Sequence, residues 1–513
     1  MKYSNLYRFI LSMILLMCLS FNTRAQAQSH HKTQKKRRYD YPAHNKVTNG
    51  SVTVEGKKIE YKAVAGTIPL FNSNRDTTAH IFFTAYIKKG VKNESKRPVT
   101  FLYNGGPGSS TMWLHMGAFG PVRVNAEDTV HTSGAPYQLE NNNYSLLDAS
   151  DLVFIDAPGT GFSRLTKKGK SDNFYGVDQD AKAFANFITR FLTQFNRWNS
   201  PKYLFGESYG TTRNAVLSNV LTTQKSVDLN GVIMLSQILN FGNSIDGPSS
   251  DPGNYMPYVL ALPTYAATAW YHHKLPNRPD SLKPFLQKVK NFAMGDYSDA
   301  LSKGSELSKS EKNSIAEKLH QYTGLSVHYL KKANLRVTGG EFEKTLLSNS
   351  DETTGRLDTR FQGPTINPLS ERAHYDPQSA DISSTYITLW NQYVRNTLDY
   401  GKHMKYRPTY YKIHWDFDHH GQIGMNVMPD LAHAMKYNPK MKVMVNGGYF
   451  DLATPFYEGK YEMHHLPIPQ KLEKNITYHY YKSGHMVYVH PASLHKLHDN
   501  VAAFIEKTDN VQK

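Results

Sequence analysis

Gly206-Glu207-Ser208-Tyr209-Gly210 is the only G-x-S-x-G in the chain, set between Tyr203-Leu204-Phe205 and a helix-compatible run from Thr211 to Leu221. A serine in a sharp strand-to-helix turn presents its hydroxyl outward, and small residues two positions to either side let the backbone crowd there. The start of the following helix favours negative charge developing nearby. A serine hydroxyl is inert until a base takes its proton, so a histidine and an orienting acid are expected later in the chain. Asp451, after the turn Asn446-Gly447-Gly448, is the best acid, and His485, in Ser483-Gly484-His485-Met486-Val487, is the best base. Both follow strand-like segments, at the carboxyl ends where open parallel sheets place their ligands. Asp156 precedes Ser208, against the order serine, acid, histidine, and is read as a structural turn residue.

A second loop, Asn104-Gly105-Gly106-Pro107-Gly108-Ser109-Ser110, follows the apolar Val99 to Tyr103. No Lys-Ser/Thr pair closes its glycines, so it is not a phosphate loop. In an α/β-hydrolase such a loop supplies one amide of the oxyanion hole, and the residue after the nucleophile, here Tyr209, supplies the other.

These residues need strands and helices to hold them. Alternation from Ser51 to about Ile87 predicts antiparallel strands at a sheet edge. Val99 to Tyr103, Leu152 to Ile155, Val443 to Val445 and Ile476 to Tyr481 read as strands, and 431–435 as a helix. Apolar residues at 177, 181, 184, 188, 191, 195 and 198 predict an amphipathic helix, with Trp198, like Trp270, in the core. Strands alternating with helices imply an α/β fold with a mostly parallel central sheet covered on both faces. Residues 246–425 break that alternation with helical stretches at 282–292, 311–322 and 385–400. They are expected to form an inserted, largely helical cap between a first core part, 46–245, and a second, 426–513.

The chain has 513 residues, 39% hydrophobic and 20% charged, enough for a large core. Residues 1–27 read as a cleaved signal peptide: Lys2 and Arg8, an apolar run from Phe9 to Phe21, and a small-x-small site ending at Ala27. Secretion follows from that reading, and a periplasmic location is favoured because the sole cysteine, Cys18, lies in the leader. Internal disulfides and a cysteine-ligated structural metal are thereby excluded. The net charge is +17, and part of it sits in a basic linker, residues 28–45, read as a solvated tail. Nothing calls for nucleic acid, stable membrane insertion or a cofactor. The histidines of 414–420 and the cluster Glu462-Met463-His464-His465 are read as solvated or packing residues rather than metal ligands.

Taken together, Asn-Gly-Gly-Pro-Gly-x-Ser, the stretch Ile155-Asp156-x-Pro158-Gly159-x-Gly161-Phe162-Ser163, Gly-Glu-Ser-Tyr-Gly, the Asp-x-x-x-Pro of Asp451 to Pro455, and Gly-His-Met-Val resemble the serine carboxypeptidases of peptidase family S10. The resemblance implies an α/β-hydrolase that removes single residues from the carboxyl ends of peptides. It implies a triad of Ser208, Asp451 and His485, and an oxyanion hole of Gly106 and Tyr209. Asn104 and Glu207 would bind the substrate's terminal carboxylate. Two carboxylates in contact cannot both be ionised, so Glu207 would hold a proton, and peptides would bind better at acidic pH.

Three positions depart from the family pattern. Its second glutamate is missing from Gly117-Ala118-Phe119-Gly120-Pro121, its cysteine after the glycine loop is Ser109, and Tyr488 stands where a proline is expected. An acyltransferase or esterase on the same scaffold, or a non-catalytic binding protein, are the alternatives. Residue preference and oligomeric state are not written in these motifs.

Overall fold

The computed structural model describes residues 45–248, 251–410, 412–421 and 425–511. The expected leader, 1–27, and all but the last residue of the basic linker, 28–45, lie outside the described residues.

The centre is a ten-stranded sheet. Its strands are β1 (Asn45–Val54), β2 (Lys57–Phe71), β3 (Thr77–Lys88), β4 (Val99–Tyr103), β5 (Asp151–Ile155), β6 (Arg164–Leu165), β7 (Lys202–Glu207), β8 (Gly231–Leu235), β9 (Lys442–Gly448) and β10 (Ile476–Tyr481). The spatial order is β1-β2-β3-β5-β4-β7-β8-β9-β10, with β6 paired to β3. From β5 to β10 every pairing is parallel, whereas β1, β2 and β3 form the antiparallel edge that the alternation predicts. Strands β4, β5, β7 and β8 are buried along their whole length, as continuous apolar runs between two helical layers must be. β8, with its run Gly-Val-Ile-Met-Leu, is a central strand that the sequence reading passed over.

One face is covered by α1 (Val177–Gln194) and α2 (Tyr209–Gln224), whose Phe184, Ile188, Phe191 and Leu217 pack with Phe83, Phe101 and Val232. α1 ends at Gln194, one turn before the apolar periodicity does, so Trp198 is 45% exposed and not part of the core.

The expected insertion divides in two. Helices α3 (Met256–Tyr271), α4 (Leu282–Phe292), α5 (Lys309–Thr323) and α6 (Gly339–Leu346) share a hydrophobic cluster of their own. That cluster also takes in Tyr449, Phe450 and Leu452, the residues around Asp451. By contrast α7 (Pro377–Asn396) lays Tyr386, Trp390 and Tyr393 against the second sheet face, beside Leu102, Phe154 and Ile233. The last part of the chain adds α8 (Met428–Tyr437) to the first face and α10 (Pro491–Thr508) to the second, with α9 (Phe456–His464) following Asp451. Among the described residues no helix is long and apolar enough to cross a membrane.

Candidate active site

Ser208 is the residue between β7 and α2, with φ 61° and ψ −130°. A non-glycine residue in such a region costs about 1–3 kcal/mol and persists only when its surroundings over-determine it. Here they do: Ser208 N donates to the Leu235 carbonyl at 2.9 Å, and Thr211 N donates to the Ser208 carbonyl at 2.7 Å. A Cβ on Gly206 would sit 2.1 Å from the Gly210 carbonyl oxygen, so the crossing of strand and helix tolerates only glycine. Ser208 itself is half-buried, within reach of a ligand.

Asp451 and His485 come together from the ends of β9 and β10. His485 Nδ1 lies 2.9 Å from Asp451 Oδ2, and both residues are buried. Thr454, which sequence reasoning missed, holds the acid twice: its N–H donates to Asp451 Oδ1 at 3.0 Å and its hydroxyl to Oδ2 at 2.8 Å. Ser236 Oγ donates to the His485 carbonyl at 2.7 Å. Leu235 and Ser236, at the end of β8, therefore tie the serine turn to the histidine loop. Burial opposes a charged His485 ring, but Asp451 and Glu207 outweigh it, and the net displacement is upward.

The stretch Arg356 to Arg360 braces both the Asp451 loop and the His485 loop. His485 N donates to the Leu357 carbonyl at 2.6 Å, Leu452 N to the Arg356 carbonyl at 3.1 Å, and Thr359 N to the Phe450 carbonyl at 2.9 Å. Gly484 N donates to Asp358 Oδ2 at 2.9 Å.

The glycine loop meets the serine turn directly. A Cβ on Gly105 would lie 2.4 Å from Tyr209 N, and Gly106 has φ 109°. The backbone of this loop thus runs against the first amide of α2, as two amides facing one oxyanion require. Asn104 is buried; its Oδ1 accepts from Leu114 N at 3.2 Å, which turns its amide nitrogen the other way, and its neighbours there include Glu207. Arg213, on α2, donates from Nη1 to the Asn104 carbonyl at 2.9 Å and from Nε to Asp180 Oδ2 at 2.6 Å.

Glu207 is the last residue of β7 and is 4% exposed. Burial pushes its carboxyl up to about 7, against the opposing pull of His485 and the Tyr488 hydroxyl. At mildly acidic pH it carries a proton. Ala118, where the resemblance expects a second glutamate, is fully buried, and Ser109 N closes the glycine loop onto the Gly105 carbonyl at 3.0 Å.

The remaining candidates have structural partners. Asp156 Oδ1 accepts from Thr111 N at 2.9 Å and from the Tyr406 hydroxyl at 3.2 Å, bracing the glycine loop. Of the 414–420 histidines, His414 and His420 are exposed, and buried His419 bridges Asp178 at 2.9 Å and Asp430 at 2.7 Å. His419, His420 and Asp430 are close enough to share a metal ion, but both ring nitrogens of His419 are already engaged by carboxylates. Burial disfavours its charge, yet the two aspartates push it up to about 9, which makes it an ion-pair staple. Glu462 is fully buried and accepts from Leu239 N, Asn240 N and Gln237 Nε2, whereas His464 and His465 are exposed.

Residues 55–510 match the family described as serine carboxypeptidase. Among individual proteins, the chain is similar to the pheromone-processing carboxypeptidase KEX1 of Debaryomyces hansenii, 29% identical over 201 residues, or 38% of this chain and 27% of that protein. It is also similar to serine carboxypeptidase-like 20 of Arabidopsis thaliana, 32% identical over 185 residues, 34% of this chain and 35% of that protein. The chain spans about a quarter of the length of the curated yeast relatives it matches. Its fold is similar to the crystal structure of Kex1(delta)p, a prohormone-processing carboxypeptidase from Saccharomyces cerevisiae. That likeness has TM-score 0.53 at 17% identity and covers 87% of this chain and 91% of that one.

Proposed function

The chain belongs to the serine carboxypeptidase family, and from that premise we propose that it releases single residues from the carboxyl ends of peptides, favoured at acidic pH. His485 takes the proton of the Ser208 hydroxyl as the oxygen attacks the last peptide carbonyl, and Asp451 holds the imidazole in the required tautomer. The Gly106 and Tyr209 amides receive the oxyanion. His485 then returns the proton to the departing amino group, leaving an acyl-Ser208 that water hydrolyses.

The observation that carries this reading is Glu207, buried beside both His485 and Asn104, where burial raises its carboxyl and favours the protonated form. A substrate ending there in a carboxylate meets two neutral donors. A chain continuing past them would leave these polar groups buried and unpaired. The leader-like start, Lys2 to Ala27, supports action after export from the cytoplasm.

The test is time-resolved mass spectrometry of one peptide, incubated at acid and neutral pH with the wild-type chain and with Ser208→Ala. A ladder shortening from the free carboxyl end, lost in the variant and slowed by C-terminal amidation, is expected. No shortening, with Ser208 still labelled by a fluorophosphonate, would point instead to an esterase or acyltransferase. No labelling would point to a binding protein.

A further inference from the structure

Two buried polar atoms beside the triad lack hydrogen-bond partners: Glu207 Oε2 and the Tyr488 hydroxyl. They belong to neighbouring side chains, close enough for the hydroxyl to perturb the carboxyl though outside ordinary hydrogen-bond geometry. An orphaned buried polar group is costly, and a single O–H···O contact between these two would satisfy both. The chain has made room for this tyrosine. A Cβ on Gly117 would lie 2.6 Å from the Tyr488 ring and 2.5 Å from the Tyr386 hydroxyl. Gly117, by lacking a Cβ, thus leaves the space that the ring occupies. Oε2 is buried and unpartnered, so Oε1 is the oxygen left for a ligand.

We propose that Tyr488 is a positioning residue whose hydroxyl donates to Glu207 Oε2, so that Oε1 and its proton turn toward the C-terminal carboxylate of the substrate. This rests on the carboxylate-binding role given to Glu207 above. A phenol keeps its own proton at every working pH, so the pair has only one site that titrates near neutrality. The groups facing Glu207 are His485 and Asp451 from the triad loops, Tyr386 from α7, Asn104 and Tyr488 itself. Removing the phenolic donor leaves ionised Glu207 less well served, and its proton is held to higher pH.

The experiment compares wild type, Tyr488→Phe and Glu207→Gln, measuring kcat/KM against pH on a peptide with a free carboxyl end and on its amide. The alkaline fall for the free peptide is expected to move up by about one pH unit in Tyr488→Phe, the equivalent of one hydrogen bond. KM should rise while kcat holds, and the amide should show no such movement. Infrared difference spectra give a reading without substrate: the protonated-carboxyl band lost in Glu207→Gln should titrate at higher pH in Tyr488→Phe. Should the Phe variant not fold, Tyr488→Met removes the same hydroxyl. An unmoved profile and an unmoved band would overturn the role of Tyr488 alone. An alkaline fall that persists in Glu207→Gln would instead overturn the role of Glu207.

Discussion

Arg213 reaches back from α2 to hold the carbonyl of Asn104 at 2.9 Å, so the helix that begins at the serine turn also fixes the start of the glycine loop. Its guanidinium is fully buried over the rings of Tyr103, Phe184 and Tyr209 and is paired with Asp180. The two loops that would face an oxyanion are thus one rigid unit.

Breaking that unit should be costly. Arg213→Met strands a buried Asp180 carboxylate, and loss of one partner of a buried pair costs about 3–5 kcal/mol. Urea unfolding should register the loss, and the double variant Arg213→Met/Asp180→Leu should be more stable than Arg213→Met alone. A double variant no better than the single would show that the Asn104 contact, not the ion pair, carries the effect.

Thr454 is the second expected lever. Its hydroxyl donates to Asp451 Oδ2 at 2.8 Å and lies 3.2 Å from His485 Nδ1. Thr454→Val keeps the shape and removes one hydrogen bond to a charged acceptor, about 1.5–3 kcal/mol, or roughly ten- to a hundredfold in kcat. KM should change little, because the threonine is not among the groups that would meet substrate. Steady-state kinetics on one peptide would separate the two constants.

What could be read from sequence follows how local each feature is. The serine turn is written in five consecutive residues, β4 and β9 in short apolar runs and β10 in a β-prone aromatic stretch, so these segments announce themselves. Asp451 and His485 stand out only through chain order, since nothing local separates His485 from 22 other histidines. Thr454, Ser236 and Arg213 escaped because their roles consist of contacts made only after folding. The bracing of His485 by Leu357 spans 128 positions and uses a carbonyl, which no side-chain pattern encodes. Trp198 was misplaced because periodicity does not mark where a helix stops; α1 ends at Gln194 and the indole turns to solvent. Amphipathic spacing names a buried face but not its partner, so the packing of the α7 apolar stripe on the sheet is not legible in the sequence.

Asp358 gives a test of the brace. It is fully buried, accepts from Gly484 N at 2.9 Å and pairs with Arg360 at 2.6 Å. Asp358→Ala orphans that amide next to His485 and leaves Arg360 only Asp128. Stability should fall by about 3 kcal/mol or more. At a temperature where the variant is still folded by circular dichroism, kcat should fall too. Full kcat in the folded variant would limit Asp358 to a stabilising role.

Glu207 makes a prediction that needs no substrate. Its carboxyl is raised by burial from 4.5 to about 7 in the folded chain. The folded state therefore holds this proton more tightly than the unfolded one. Its contribution to stability is complete below about pH 4.5, is lost as pH rises toward 7, and is gone above that. At 1.36 kcal/mol per pH unit the whole change is up to about 3 kcal/mol. Glu207→Gln stays neutral throughout and should escape the loss. Urea unfolding of both proteins at pH 4.5, 6 and 8 should give matching slopes, with the variant increasingly the more stable as pH rises. Other buried carboxyls, such as Glu462, titrate in the same window but are common to both proteins and cancel in the difference. A constant offset across the three pH values would mean that Glu207 titrates near its ordinary value, and the proton-holding role would fall with it.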